Sequence, residues 1–166
     1  MQPDLPDGQP AVAPVYRRLR QQVLDLDPAD IGLSAADGGP RVWAALMELG
    51  LPEAVVTLVS VGDGATSLYF SNGGGVIGGG ETPAVAAATL QFLAAAEGLL
   101  PELAPSDEFP LPAPGQVLFY ALPHDGAYAA GAAEEELQSR QHPLMSLYAM
   151  GQNVITQLRL RAEGQE

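Results

Sequence analysis

The 166-residue chain predicts one α+β domain, with helices packed on an antiparallel sheet of four to five strands. Three observations carry this expectation. Two apolar runs, residues 54–61 (AVVTLVSV) and 116–122 (QVLFYAL), are each followed by an Asp-Gly turn and a second extended run, so each reads as a hairpin. Three other segments repeat apolar residues at helical spacing. The turns are far too short for a parallel crossover, which leaves an antiparallel sheet with helices laid on it.

Taken in order, residues 1–13 are proline-broken and aperiodic and read as a flexible arm, 14–161 as the domain and 162–166 as a tail. Val15, Tyr16, Leu19, Val23 and Leu26 recur at helical spacing, opposite Arg17, Arg18, Gln21 and Gln22, and Asp27-Pro28 ends that helix. After a loop over 28–40, Val42, Trp43, Leu46, Met47 and Leu49 predict a short helix with Gly50 as its stop. Residues 54–61 predict a strand buried on both faces, and 66–71 its hairpin partner. Six glycines then fall within residues 72–80. Thr82 and Pro83 mark a helix start, and the helix over 83–97 turns Val85, Thr89, Phe92, Leu93 and Ala96 inward. Residues 98–115 hold five prolines and read as a long exposed connection. Beyond the 116–122 strand, 127–132 predicts a weaker strand near an edge, and Glu134–Glu136 a solvated charge run. Leu144, Leu147, Tyr148, Gly151, Val154, Ile155 and Leu158 form one stripe of a final helix over about 143–160.

Composition narrows the function classes. Seven basic residues against 20 acidic ones give a net charge of −13. All seven are arginines, Arg17, Arg18, Arg20, Arg41, Arg140, Arg159 and Arg161; between Arg41 and Arg140 stand twelve carboxylates and no base. Such a field repels phosphate backbones, so no nucleic-acid partner is expected. The chain has no cysteine, which removes disulfides, thiolate metal sites and cysteine nucleophiles together. The acidic, proline-broken start is no signal peptide, and the most apolar helix, 84–96, is too short to span a bilayer. The expectation is a soluble cytoplasmic protein with no membrane partner. The lysine-free, Ala/Gly/Pro-rich composition points to a GC-rich bacterial genome.

The glycine block is the one unusual feature. A glycine loop entering a helix N-terminus can present backbone N–H groups to an anion. That makes Asn72, Gly73, Gly74, Gly75, Gly78, Gly79, Gly80 and Thr82 the candidate ligand-binding residues. The spacing fits neither phosphate fingerprint, no lysine or arginine stands near, and Glu81 would oppose an anion. The structural alternative is that the glycines supply positive φ or close packing. No cofactor or metal is expected: His124 lies in a turn, His142 precedes a helix start, and two unpaired histidines are too few ligands. Asp63 and Asp125 could meet across hairpin tips, but Asp-Gly is first a turn signal. No serine lies in a nucleophile-elbow motif. Tyr69, Phe70, Phe119 and Tyr120 alternate across strands, so one of each pair points away from the main core, toward a second covering layer or a subunit interface.

The succession helix, short helix, hairpin, glycine loop, helix, hairpin, helix resembles the profilin-like group that includes the Roadblock/LC7 and longin families. The resemblance covers most of 14–161 as an order of elements, with no motif matched residue by residue. It implies a dimeric adaptor, as many of those proteins are for small GTPases. The block from Thr66 to Gly80 also resembles one in small uncharacterised bacterial proteins. The function expected is a non-enzymatic protein–protein interaction module, a homodimeric adaptor or regulator with a protein partner; the alternative is a small-molecule or nucleotide binder, or an enzyme, using the 73–80 loop and the helix start at Thr82.

Overall fold

Residues Val42–Gly50, expected as a short helix, form the central strand of the sheet, β1. The computed structural model describes residues 12–33, 41–77, 82–139 and 141–163. All nine positions of β1 are buried. A strand covered on both faces has no polar alternation, so its sequence matches a buried helix as well as a strand. Pairing decides between them: β1 lies antiparallel to β2 (Val55–Val61) on one side and to β6 (Gln116–Pro123) on the other.

Around it the chain adds α1 (Pro14–Leu24), β3 (Thr66–Phe70), β4 (Gly75–Ile77), α2 (Pro83–Gly98), β5 (Ala104–Pro105), β7 (Tyr128–Ala133), α3 (Glu134–Leu137) and α4 (Met145–Glu163). The sheet has seven strands in the order β4-β3-β2-β1-β6-β7-β5, every pairing antiparallel, against the four to five expected. Both predicted hairpins are present, β2–β3 and β6–β7. The additional strands are β1, the glycine-bearing β4 and the two-residue β5.

Register sorts the apolar residues into two layers. Met47 stands between Leu58 and Phe119, and with Leu68 these side chains pack beneath α2 and α4 against Phe92, Leu147 and Val154. One position along, Leu46 stands between Val59 and Tyr120, and these join Trp43, Val55 and Tyr69 on the opposite face. Helix α4 comes close to the sheet at Gly151, where a Cβ would lie 2.6 Å from the Met47 sulfur and 3.3 Å from the Phe92 ring.

The second face is covered by α1 and by two connections. Ala13 donates its N–H to the Ser71 carbonyl at 2.7 Å, and Val12 and Ala13 pack against this layer. Residues 98–115 are not a wholly exposed connection. They make a 3₁₀ turn at Leu100–Glu102, bury Leu103 and bring Phe109 and Leu111 onto the sheet. Both faces being covered, Tyr69 and Tyr120 serve this second layer while Phe70 and Phe119 serve the first. The glutamate run forms α3, where Glu136 accepts from the Ala133 N–H and Glu134 accepts from the Tyr148 hydroxyl.

Candidate functional site

The glycine block does not form one continuous loop. Gly75 pairs with Tyr69 and Val76 with Leu68, so Gly75 belongs to strand β4. Asn72 and Gly73 make the turn before it: Gly73 donates to the Phe70 carbonyl at 2.9 Å, and Phe70 donates back to the Gly74 carbonyl at 2.8 Å. Gly73 has φ +110°, a conformation that side chains disfavour. Asn72 Oδ1 accepts from the Gly74 N–H at 3.5 Å, so the Gly73 and Gly74 amides have partners inside the turn. Gly78, Gly79 and Gly80 lie outside the described residues. Thr82 stands at the N-cap with Pro83 following, yet its side chain makes no capping bond.

Other polar candidates serve turns and caps. Asp63 accepts from the Ala65 N–H at 2.9 Å, and Asp125 lies 3.6 Å from Arg41 on the surface. His142 Nδ1 accepts from the Leu144 N–H. Among the described residues no group of three or more His, Asp or Glu is placed to hold a metal ion, and no helix is long and apolar enough to cross a membrane.

The densest polar chemistry is buried beneath α1. Tyr16 and Arg20, four residues apart on one helix face, are the two buried residues of α1. Arg20 grips Glu48 with two hydrogen bonds, Nε to Oε2 at 2.6 Å and Nη2 to Oε1 at 2.8 Å. Glu48 lies wholly inside the sheet, with Arg20 9% exposed. A third Arg20 bond reaches the Phe109 carbonyl at 2.9 Å, and Thr57 donates to Glu48 Oε2 at 2.8 Å. The Tyr16 and Thr57 hydroxyls lie 2.6 Å apart. Tyr120 donates to the Pro110 carbonyl and lies under the guanidinium, with the Phe109 ring edge-on at 5.2 Å. Each charged group therefore has its partners within the cluster, which ties α1, β1, β2, β6 and the 109–110 segment together. The signal for it was present in the sequence: Glu48 is the one charge inside a nine-residue apolar run.

Burial, and next the Glu48 charge, raises the Tyr16 hydroxyl above the ordinary tyrosine range and pushes Tyr120 up to about 12. Burial works against the Arg20 charge, but its hydrogen bond to Glu48 and that carboxylate's charge outweigh it, so the guanidinium is raised. The tyrosines carry a pH consequence. Above their unfolded pKa of about 10 the unfolded chain has lost protons that the folded chain still holds. Stability should thus be intact below that pH and fall as pH rises toward the folded value of Tyr120, about 12. Chemical denaturation at stepped alkaline pH checks it, and a flat profile would contradict the buried placement.

The outer side of α2 is different in kind. Pro83, Ala84, Ala87, Leu90, Gln91, Ala94 and Gly98 are exposed, and none carries a charge. Leu90 is 50% exposed. Glu97, the helix's one carboxylate, is turned back to accept from the Val42 N–H at 2.8 Å. The inner residues are the five the spacing predicts, Val85, Thr89, Phe92, Leu93 and Ala96, together with Ala88. The outer face could have been read from the same stretch, whose alanines continue round the helix with no charge opposite the core. Comparison of the chain with protein-family models, with curated proteins and with solved structures returns no match.

Proposed function

We propose that this chain is a non-enzymatic protein–protein recognition module that associates through the outer face of α2. The observation that carries the reading is that face: an uncharged helix surface with a half-exposed leucine, on a chain of net charge −13. Charged residues are what ordinarily cover a solvent-facing helix, and an uncharged apolar patch marks an interaction site. The buried cluster supports the same reading, because its charges and hydroxyls are engaged with one another. A profilin-like, Roadblock-type adaptor in a bacterial cytoplasm is the finer form of the proposal; antiparallel pairing and helices on the sheet support it, while four strands rather than two before α2 depart from it.

A photoreactive residue placed at Leu90, in cells producing the full chain, tests the role. Covalent adducts with protein should form at Leu90 and not at the exposed control position Glu53. Absence of protein adducts, together with a measured turnover lost on changing one polar residue, would overturn the reading.

A further inference from the structure

We infer that the Asn72–Gly73 turn is a site of spontaneous covalent modification, where the Gly73 backbone nitrogen closes a ring on the Asn72 side chain and converts it to aspartate or isoaspartate. The nitrogen gives up its proton to hydroxide and attacks Asn72 Cγ. A C–N bond forms, the Cγ–Nδ2 bond breaks, and the side-chain nitrogen leaves as ammonia, taking a proton from water. Solvent water then opens the cyclic imide. Opening at Cγ leaves aspartate; opening at the backbone carbonyl carbon leaves isoaspartate, whose main chain runs through the side chain and is one carbon longer. Either product carries a new carboxylate.

Three features of the turn direct this reaction to Asn72. The first is access. Asn72 and Gly73 are both exposed, and glycine has no Cβ to crowd the attacking nitrogen. The second is the state of the side chain. Its described bond, Oδ1 accepting from the Gly74 N–H, is long at 3.5 Å, so it does not lock the amide in place. That donor also faces the oxygen on which negative charge develops during attack, and so assists it. The third is ease of opening. The Gly73 N–H must leave the Phe70 carbonyl, 2.9 Å away, before its nitrogen can react. The turn leads into β4, a three-residue strand at the sheet edge, and such edges open locally without global unfolding. The chain's other asparagine, Asn153, lies inside α4 and precedes the buried, β-branched Val154. There the following nitrogen is held in the helix and crowded by its own side chain. The Asp-Gly turns at 63–64 and 125–126 offer carboxylates, which are poorer electrophiles than an amide, and Asp63 is held by its bond to Ala65 at 2.9 Å. Isoaspartate at position 72 lengthens the backbone directly beside Ser71. That residue exchanges bonds with Val55 and accepts from the Ala13 N–H, so the isoaspartate chain should be the less stable one.

The folded full chain, incubated in mildly alkaline buffer and then digested for mass spectrometry, should lose the Asn72 amide about tenfold faster than the Asn153 amide, or faster still. The rate should rise in proportion to hydroxide concentration. An isoaspartate-specific methyltransferase should label the peptide that spans residue 72. Asn72→Gln, whose ring closure needs one more carbon, should keep its mass and take no label at this turn. The isoaspartate chain, separated from the parent by its added charge, should have a lower urea midpoint than Asn72→Asp, which carries the charge without the rerouted backbone. An intact Asn72 in the folded chain, equal rates at the two asparagines, or isoaspartate appearing at position 63 or 125 before position 72 would each overturn the inference. An isoaspartate chain as stable as Asn72→Asp would overturn the effect assigned to the lengthened turn.

Discussion

Arg20→Met should lower the unfolding free energy by about 3–5 kcal/mol, the cost of leaving a buried charge without its partner. Glu48 has no exposed surface and lies in the middle strand of the sheet. Once Arg20 is removed, only the Thr57 hydroxyl bond at 2.8 Å remains to it among the bonds described. The methionine keeps most of the volume but supplies neither charge nor donors, and the Phe109 carbonyl also loses its bond. The reverse change, Glu48→Gln, should cost less, about 1–2 kcal/mol. Its amide oxygen can still accept from the guanidinium, and Arg20 at 9% exposure reaches some water. Replacing both, as Arg20→Met with Glu48→Leu, should recover much of the loss, because a packed apolar pair removes the desolvation cost along with the attraction. Urea denaturation of the parent, Arg20→Met, Glu48→Leu and the double variant closes the cycle, with Glu48→Gln measured beside it. If Arg20→Met lies within about 0.5 kcal/mol of the parent, the range typical of surface positions, the pair is not buried as described. Hydrogen exchange should show α1 losing protection first, since Tyr16 and Arg20 are its buried contacts with the sheet.

The same residues show what the sequence discloses and what it hides. The hairpins β2–β3 and β6–β7 are legible because Asp-Gly turns separate apolar runs, a local signal that tertiary context does not overturn. Helices α2 and α4 are legible from their stripes. Strand β1 is not, because burial on both faces erases the alternation that identifies a strand. Strand β4 is hidden for the opposite reason. Glycine disfavours strands on its own, so only the neighbouring β3 could make Gly75–Ile77 extended. The cluster under α1 was half visible: Tyr16 and Arg20 share a helix face at four-residue spacing, and Glu48 interrupts an apolar run. Joining them required knowing that β1 is a strand passing beneath that helix. The α2 outer face involves no long-range pairing, and its lack of charge stands in the sequence itself.

Gly50→Ala should be nearly as damaging, at about 3 kcal/mol, the upper end of the cost of overpacking a filled site. Gly50 ends β1, and a Cβ there would run into the Ala113 carbonyl group and come 3.2 Å from the Gln116 carbonyl oxygen. These are backbone atoms, which cannot rotate aside as a side chain does. The segment from Ala113 to Gln116 would have to move as a whole. It carries the Gly115 N–H bonded to the Gly50 carbonyl at 2.8 Å and the Gly115 carbonyl that accepts from Glu134 at 2.9 Å. The start of β6 and the entry to α3 would therefore shift together. Gly151→Ala also meets atoms inside normal contact, but the nearest belong to the flexible end of Met47, so about 1 kcal/mol is expected there. Gly98→Ala has nothing within 4 Å and lies at the end of a helix, where alanine is the better helix former and no loss is expected. Urea midpoints should order the three variants with Gly50→Ala lowest and Gly98→Ala at or above the parent. Equal midpoints for Gly50→Ala and Gly98→Ala would show that the 113–116 segment does not press on the end of β1.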